Sequence, residues 1–217
     1  MSAALVALAV HVAGGAYTTP FPAAPGEKPT AVAAFWLDRE PVTNSEFFAF
    51  VAQHPEWRRD RVKPVFADTH YLETWSTADA LGPKARGNAP VVDISWFAAR
   101  AFCAARGGRL PTEAEWELAA TSTPDDVAWY EAPAPDVVPA IGGAPNALGI
   151  RDLHGLVWEW VEDFGASAVA ASACGGGGTA GTAEYTTFMR FAFRSSLDGR
   201  FAIGSLGFRC AYDEVTP

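Results

Sequence analysis

Glycine and proline interrupt this chain so often that long helices and strands have little room to form. Of its 217 residues, 20 are glycine and 16 are proline, and both residue types end regular elements or mark turns. Eight tryptophans accompany them, and buried indole rings can anchor irregular segments. We therefore expect a single domain over residues 1–217 with long loops and little regular secondary structure.

The charge balance excludes one class of partner. The chain has 16 lysines and arginines against 25 aspartates and glutamates, a formal net charge of −9. No global positive field exists to attract a phosphate backbone, so we expect no nucleic-acid partner. The apolar run at the N-terminus ends by Tyr17, after a break at Gly14 and Gly15. It is marginal for a membrane span and lacks the basic region of a signal peptide, so neither is predicted.

Capping residues predict where three helices begin. Thr43 or Asn44 can cap the first helix, and Ser95 can cap the second. Thr112 followed by Glu115 forms the pattern of a capping box for the third. Each of these side chains can satisfy backbone N–H groups that a helix start leaves without partners.

Alternation of apolar residues predicts strands elsewhere. We expect strands over residues 5–17, 31–37 and 90–94, and again in the last forty or so positions. Residues 56–88 show no consistent period, which indicates a long surface loop packed by its own side chains.

Several motifs together resemble one known family. They are VAGGAY (12–17), FWLDREPVTN (35–44), PVV (90–92) with SW (95–96), GRLPTEAEWE (108–117), Gly155 with WEW (158–160), and GFRC (207–210). In this order, over residues 12–212, they resemble the sulfatase-modifying factor domain, the formylglycine-generating enzyme family. The resemblance implies an α+β fold of the formylglycine-generating type, related to C-type lectins and rich in loops.

Three cysteines allow one internal disulfide, and their number alone does not say which pair forms it. The family resemblance implies a bridge between Cys103 and Cys210. A disulfide points to an oxidising compartment, so we expect a periplasmic or secreted protein. Two buried free thiols are the alternative.

The copper site of the family has no counterpart here. The resemblance aligns the two copper-binding cysteines of the oxidase with Gly181 and Thr186, neither of which is a Cu(I) ligand. Copper-dependent formylglycine formation is therefore not expected. Cys174, beside four glycines, is a candidate reactive thiol; the alternative is a small residue that fills a tight turn.

A structural calcium ion is a further implication of the resemblance. The matching positions are the side chains of Asp152 and Glu159 and the backbone carbonyls of Gly155 and Val157. Carboxylate and carbonyl oxygens are the ligands that Ca²⁺ takes.

These observations leave two hypotheses for function. The first is an accessory or binding module that holds a peptide or partner protein in a groove formed by the long loops, possessing no oxidase activity. Its most specific form is a role in maturation of a metalloenzyme, from a loose likeness to accessory proteins of copper nitrite reductases. The alternative is an oxidoreductase of the same fold that uses another site, which a pocket with a carboxylate and an aromatic ring would favour. We expect Glu113, Glu115 and Glu117 to have structural roles.

Overall fold

Short strands and short helices, joined by long loops, form the part of the chain that the structure describes. The structure is a computed structural model, and it describes residues 8–19, 26–120, 129–164 and 182–214. The strands are β1 Ala9–Val12, β2 Gly15–Tyr17, β3 Thr30–Val32, β4 Phe35–Asp38, β5 Trp158–Glu159, β6 Leu206–Gly207 and β7 Ala211–Asp213. The α-helices are α1 Asn44–Gln53, α2 Trp96–Ala105, α3 Glu113–Ala119 and α4 Thr182–Ser195, and a 3₁₀ helix spans Pro55–Trp57. This mixture confirms the α+β fold class.

Three small sheets organise the strands. The antiparallel sheet β1-β4-β7 brings strands from both ends of the described chain together. Strands β2 and β3 form an antiparallel pair, and β5 pairs with β6 in parallel. Among the described helices, none is both long and apolar enough to cross a membrane.

The helix starts follow the predicted caps. The Thr43 hydroxyl accepts from the backbone of Glu46, whose carboxylate in turn accepts from the Thr43 N–H. Ser95 caps α2 by accepting from Ala98 N. Thr112 begins α3 with a complete capping box. Local side-chain hydrogen bonds therefore fix where these helices begin.

A disulfide between Cys103 of α2 and Cys210, just before β7, lies inside the largest apolar cluster. Both cysteines are fully buried, and their Cα atoms are 5.4 Å apart. Phe102 stands beside the bridge, with its ring 5.7 Å from that of Phe47 and 5.4 Å from that of Phe208. The predicted pairing is confirmed, and it ties the helical half of the core to the central sheet.

Three sequence expectations were wrong in part. Residues 182–195 form helix α4 instead of a strand. In 90–94 the strand is reduced to one bridge, between Pro90 and Thr43. The segment 56–88 is a loop, but Tyr71, Leu72 and Trp75 are buried in the main core, so it is packed by the whole domain rather than by its own side chains alone.

Candidate functional site

A cleft of about 540 Å³ opens on the loop side of the domain. Segments 70–74, 84–93, 134–138 and 202–205 contribute its walls, and none of these residues lies in an α-helix or a strand. Concave sites with a few convergent polar groups are where proteins hold ligands. This cleft is therefore the candidate site.

Asp93, a residue of the cleft wall, and Leu72, a buried residue behind it, have left-handed backbone conformations that most non-glycine residues seldom adopt. Leu72 has φ 50° and Asp93 has φ 55°. The two are joined directly, because Leu72 N donates to Asp93 O at 2.7 Å. Asp93 N also donates to Ile203 O at 3.1 Å, which ties the cleft segment 202–205 to Asp93. Such strain persists only where surrounding contacts impose it, and it concentrates at functional sites.

Asp93 carries a buried carboxylate into this cleft. The residue is 5 % exposed, and its Oδ2 accepts from Thr74 N at 3.2 Å. Burial raises the pKa of the carboxyl above its usual value, and the hydrogen bonding with Thr74 offsets part of that effect. The structure thus places a poorly solvated acid at the base of an open cavity.

A histidine–glutamate pair lies at the rim. His70 Nδ1 and Glu73 Oε2 are 2.6 Å apart, and both side chains are largely exposed. The hydrogen bond between the two side chains raises the pKa of His70 and lowers that of Glu73. Lys84 and Asp136 also line the cleft, so its polar groups carry both signs of charge with carboxylates in excess.

The turn predicted to hold calcium has a different set of contacts. Asp152 has φ 54°, and its two carboxylate oxygens accept from Gly142 N at 3.2 Å and Gly143 N at 2.9 Å. Gly155 has φ 88°, which favours glycine, and the Val157 side chain is buried. The Asp152 carboxylate therefore ties the preceding loop to the turn.

Glu159 is the second predicted carboxylate ligand. Its side chain is fully buried and accepts two hydrogen bonds from Arg209 at 2.8 Å, Nε to Oε2 and Nη2 to Oε1. Trp116 Nε1 donates to Oε2 at 2.7 Å. With both oxygens held by cationic and N–H donors, the predicted residues do not fit a calcium ion in this arrangement. Nor do the described residues cluster three His, Cys, Asp or Glu side chains to share a metal. Calcium stays a prediction from the sequence.

The remaining predicted positions concern copper and thiol chemistry. Cys174 and Gly181 lie outside the described residues. Thr186 lies on α4 and is fully buried. Of the two predicted copper positions, the structure describes only Thr186. Its side chain offers a buried hydroxyl, which is not a ligand that Cu(I) prefers.

A buried ion-pair network holds α4 against α3. Glu117 accepts from Arg190 Nε at 2.8 Å and Nη2 at 2.7 Å, and from Arg194 Nη1 at 3.0 Å. Arg194 also reaches Glu113 at 3.3 Å. Burial alone would raise the pKa of Glu117, but Arg190 and Arg194 lower it below its usual value. Glu113 and Glu117 are structural, as expected.

Glu115, the third acid of the motif, is structural as well. It completes the α3 capping box and accepts from Arg109 at 2.6 and 2.7 Å. The residues of the cleft, by contrast, were not identified from sequence. Left-handed backbone at Leu72 is not indicated by its residue type, and the enrichment of aspartate in this conformation is too weak a signal to mark Asp93 in a single sequence.

Comparisons with known proteins agree with the motif pattern. Residues 3–214 match the model of the sulfatase-modifying factor enzyme 1-like domain. The chain is 29 % identical to a formylglycine-generating enzyme of Streptomyces coelicolor over an alignment 272 positions long, gaps included. The alignment covers 92 % of this chain and 85 % of that protein. The chain is 32 % identical over 149 residues to the inactive C-alpha-formylglycine-generating enzyme 2 of Bos taurus, covering 56 % and 50 %. The crystal structure of CarF has a similar fold, with a TM-score of 0.56, 18 % identity and coverage of 95 % and 98 %.

Proposed function

Because the chain belongs to the sulfatase-modifying factor enzyme 1-like domain family, we propose that it is a non-oxidase member that binds a polypeptide segment of a partner protein in its loop-built cleft. It acts as an accessory or binding module. Maturation of a metalloenzyme is the most specific form of this role, and it rests on the sequence resemblance alone. A periplasmic or secreted location is part of the proposal, and the buried disulfide supports it.

The cleft is the observation that carries the proposal. Its volume of about 540 Å³ exceeds what one side chain fills, and loops from distant parts of the chain form its walls. Loops positioned by a rigid scaffold are where binding residues concentrate. The scaffold here is rigid at the relevant points, since Asp93 is held by backbone hydrogen bonds to Leu72 and Ile203.

The copper positions support the non-oxidase part of the proposal. Thr186 lies on a helix that two buried arginines fix in place, so no small adjustment would expose it. A relative that carries the name of an inactive enzyme shares 32 % identity with the aligned part of this chain. The chain is therefore similar to an enzyme named as inactive as well as to formylglycine-generating enzymes.

The alternative is an oxidoreductase that uses another site. A pocket that joins a carboxylate and an aromatic ring would favour it. In the described part of the chain, the cleft is lined by carboxylates but by no phenylalanine, tyrosine or tryptophan. The binding module is therefore the function that this geometry supports better.

Selection from a random peptide library tests the proposal. The selected peptides are titrated against the wild-type protein and against Gly204→Trp. A Cβ at Gly204 would meet Asp93 Oδ1 at 3.6 Å, an ordinary contact, so a large side chain there would fill the cleft without displacing backbone. We expect peptide affinity to fall by about tenfold or more.

The matched control is Gly15→Trp, outside the cleft lining, where a Cβ would meet only Leu118 methyl groups at 3.8 and 3.9 Å. It should bind as the wild type does. Equal losses in both variants, or selected peptides that ignore the filled cleft, would refute the proposal.

A further inference from the structure

We infer that the cleft recognises a lysine side chain of the bound polypeptide, with the carboxylate of Asp93 as the partner of its ammonium group. This inference rests on the proposed function, since it names the chemistry of the segment that the cleft takes. Asp93, Thr74 and the charges around them carry it.

The Asp93 side chain is mostly buried but leaves one carboxylate oxygen open to the cleft. The residue is only 5 % exposed. Within the described residues, its carboxylate accepts one backbone hydrogen bond, from Thr74 N to Oδ2. Oδ1 faces the cleft beside Gly204, at 3.6 Å from the position of a Cβ there. Oδ1 is not one of the buried atoms that lack a partner, so it is open to the cleft, where a donor of the ligand can reach it.

Thr74 provides a second polar group on the same wall. Its Oγ1 is buried and forms no hydrogen bond of good geometry among the described residues, but it lies close enough to the Asp93 carboxylate to lower the pKa of that group. Thr74 lines the cleft with Asp93, so one ligand can serve both side chains. An ammonium group has three donors and can reach a carboxylate and a hydroxyl at once.

The charge around the cleft favours a cation. Carboxylates of Glu73, Asp93 and Asp136 line it, against one ammonium, that of Lys84, and the imidazole of His70. A metal ion is disfavoured, because these acids are not grouped to share one among the described residues. An organic cation remains as the ligand class.

The apolar part of the lining fits a lysine stem. Val138, Ala202 and Ile203 lie in the same cleft as the buried acid. Lysine packs its methylene chain along apolar surface while its ammonium group finds a polar partner. A lysine of the partner can therefore enter along these residues and end at Asp93.

Asp93→Asn is the decisive variant. Asparagine keeps an oxygen that can accept from Thr74 N, and it tolerates left-handed backbone better than most residues, so the variant should fold. It removes one negative charge. Glu40→Gln removes the same charge outside the cleft lining and is the control. Lys84→Met removes the competing ammonium.

The probes are the capped pentapeptide acetyl-Ala-Ala-Lys-Ala-Ala-amide and the same peptide with Nε-acetyl-lysine. Binding is followed by ¹H–¹⁵N chemical-shift titration of the full chain. We expect the lysine peptide to bind wild-type protein and the Glu40→Gln variant alike, about tenfold or more tighter than the acetylated peptide. Asp93→Asn should abolish that difference, and Lys84→Met should strengthen binding of the lysine peptide.

Two results would overturn the inference. One is equal binding of the two peptides, seen at the cleft resonances and unchanged by Asp93→Asn. That result would refute lysine recognition but would leave the proposed polypeptide binding standing. The other is absence of binding by either probe while library-selected peptides without lysine still occupy the cleft. If no selected peptide depends on the cleft, the proposed function itself fails, which the Gly204→Trp titration shows separately.

Discussion

Replacing Glu117 by alanine should destabilise the fold strongly, because it leaves two buried cations without their shared anion. The side chains of Glu117, Arg190 and Arg194 are each 3 % exposed. Glu117 accepts three hydrogen bonds from the two guanidinium groups, at 2.7 to 3.0 Å. Removing one partner of a buried pair costs about 3–5 kcal/mol. Glu113 reaches only Arg194, so it cannot compensate at Arg190.

Urea unfolding and thermal unfolding, both followed by tryptophan fluorescence, measure this loss. For a chain of this length 1 kcal/mol shifts the thermal midpoint by about 2–4 °C, so the midpoint should fall by roughly 10 °C. Asp198→Ala, which breaks the exposed pair with Arg200, is the control and should cost at most about 1 kcal/mol. A loss below about 1 kcal/mol for Glu117→Ala would refute the argument that this network fixes α4.

Two further predictions concern stability. Replacing Cys103 and Cys210 together by alanine should lower the unfolding free energy by about 2–5 kcal/mol, since the bridge closes a loop with a sequence separation of 107; an unchanged urea midpoint would contradict this. Burial raises the pKa of Asp38 to about 6, although the charge of Arg106 opposes the shift. Between pH about 4 and about 6 the folded carboxyl keeps a proton that the unfolded one has lost, so stability should fall with rising pH by about 3 kcal/mol. Asp38→Asn should remove that slope, and identical pH profiles of the two proteins would contradict the assignment.

The parts of the fold that depend on local chemistry were predictable from the sequence. Thr43, Ser95 and Thr112 each satisfy backbone groups within three residues, so their helix starts follow from neighbouring residues alone. The disulfide followed from the family resemblance. These features require no knowledge of what packs against them.

Helix α4 was mispredicted because its stability comes from residues distant in sequence. Thr186, Phe191 and Phe193 favour strands locally. Arg190 and Arg194, four residues apart, meet Glu117 only when this segment is helical, and those contacts span 73 and 77 positions. Tertiary pairing therefore overrides the local preference.

The predicted calcium residues show a related limit. Asp152 lies at the expected turn and Glu159 in the following strand β5, but Arg209 reaches Glu159 from 50 residues away and occupies its oxygens. The cleft was missed for the same reason, since Leu72, Asp93 and Ile203 come together only through long-range backbone hydrogen bonds. Motifs identify candidate ligands, but distant donors decide whether those ligands are available.

Hydrogen–deuterium exchange of the protein with a library-selected peptide tests most directly whether this cleft is the functional site. The account predicts that the peptide slows exchange in segments 70–74, 84–93, 134–138 and 202–205, and that Gly204→Trp abolishes this protection. Protection confined to other segments, with these four unchanged in the presence of bound peptide, would contradict it.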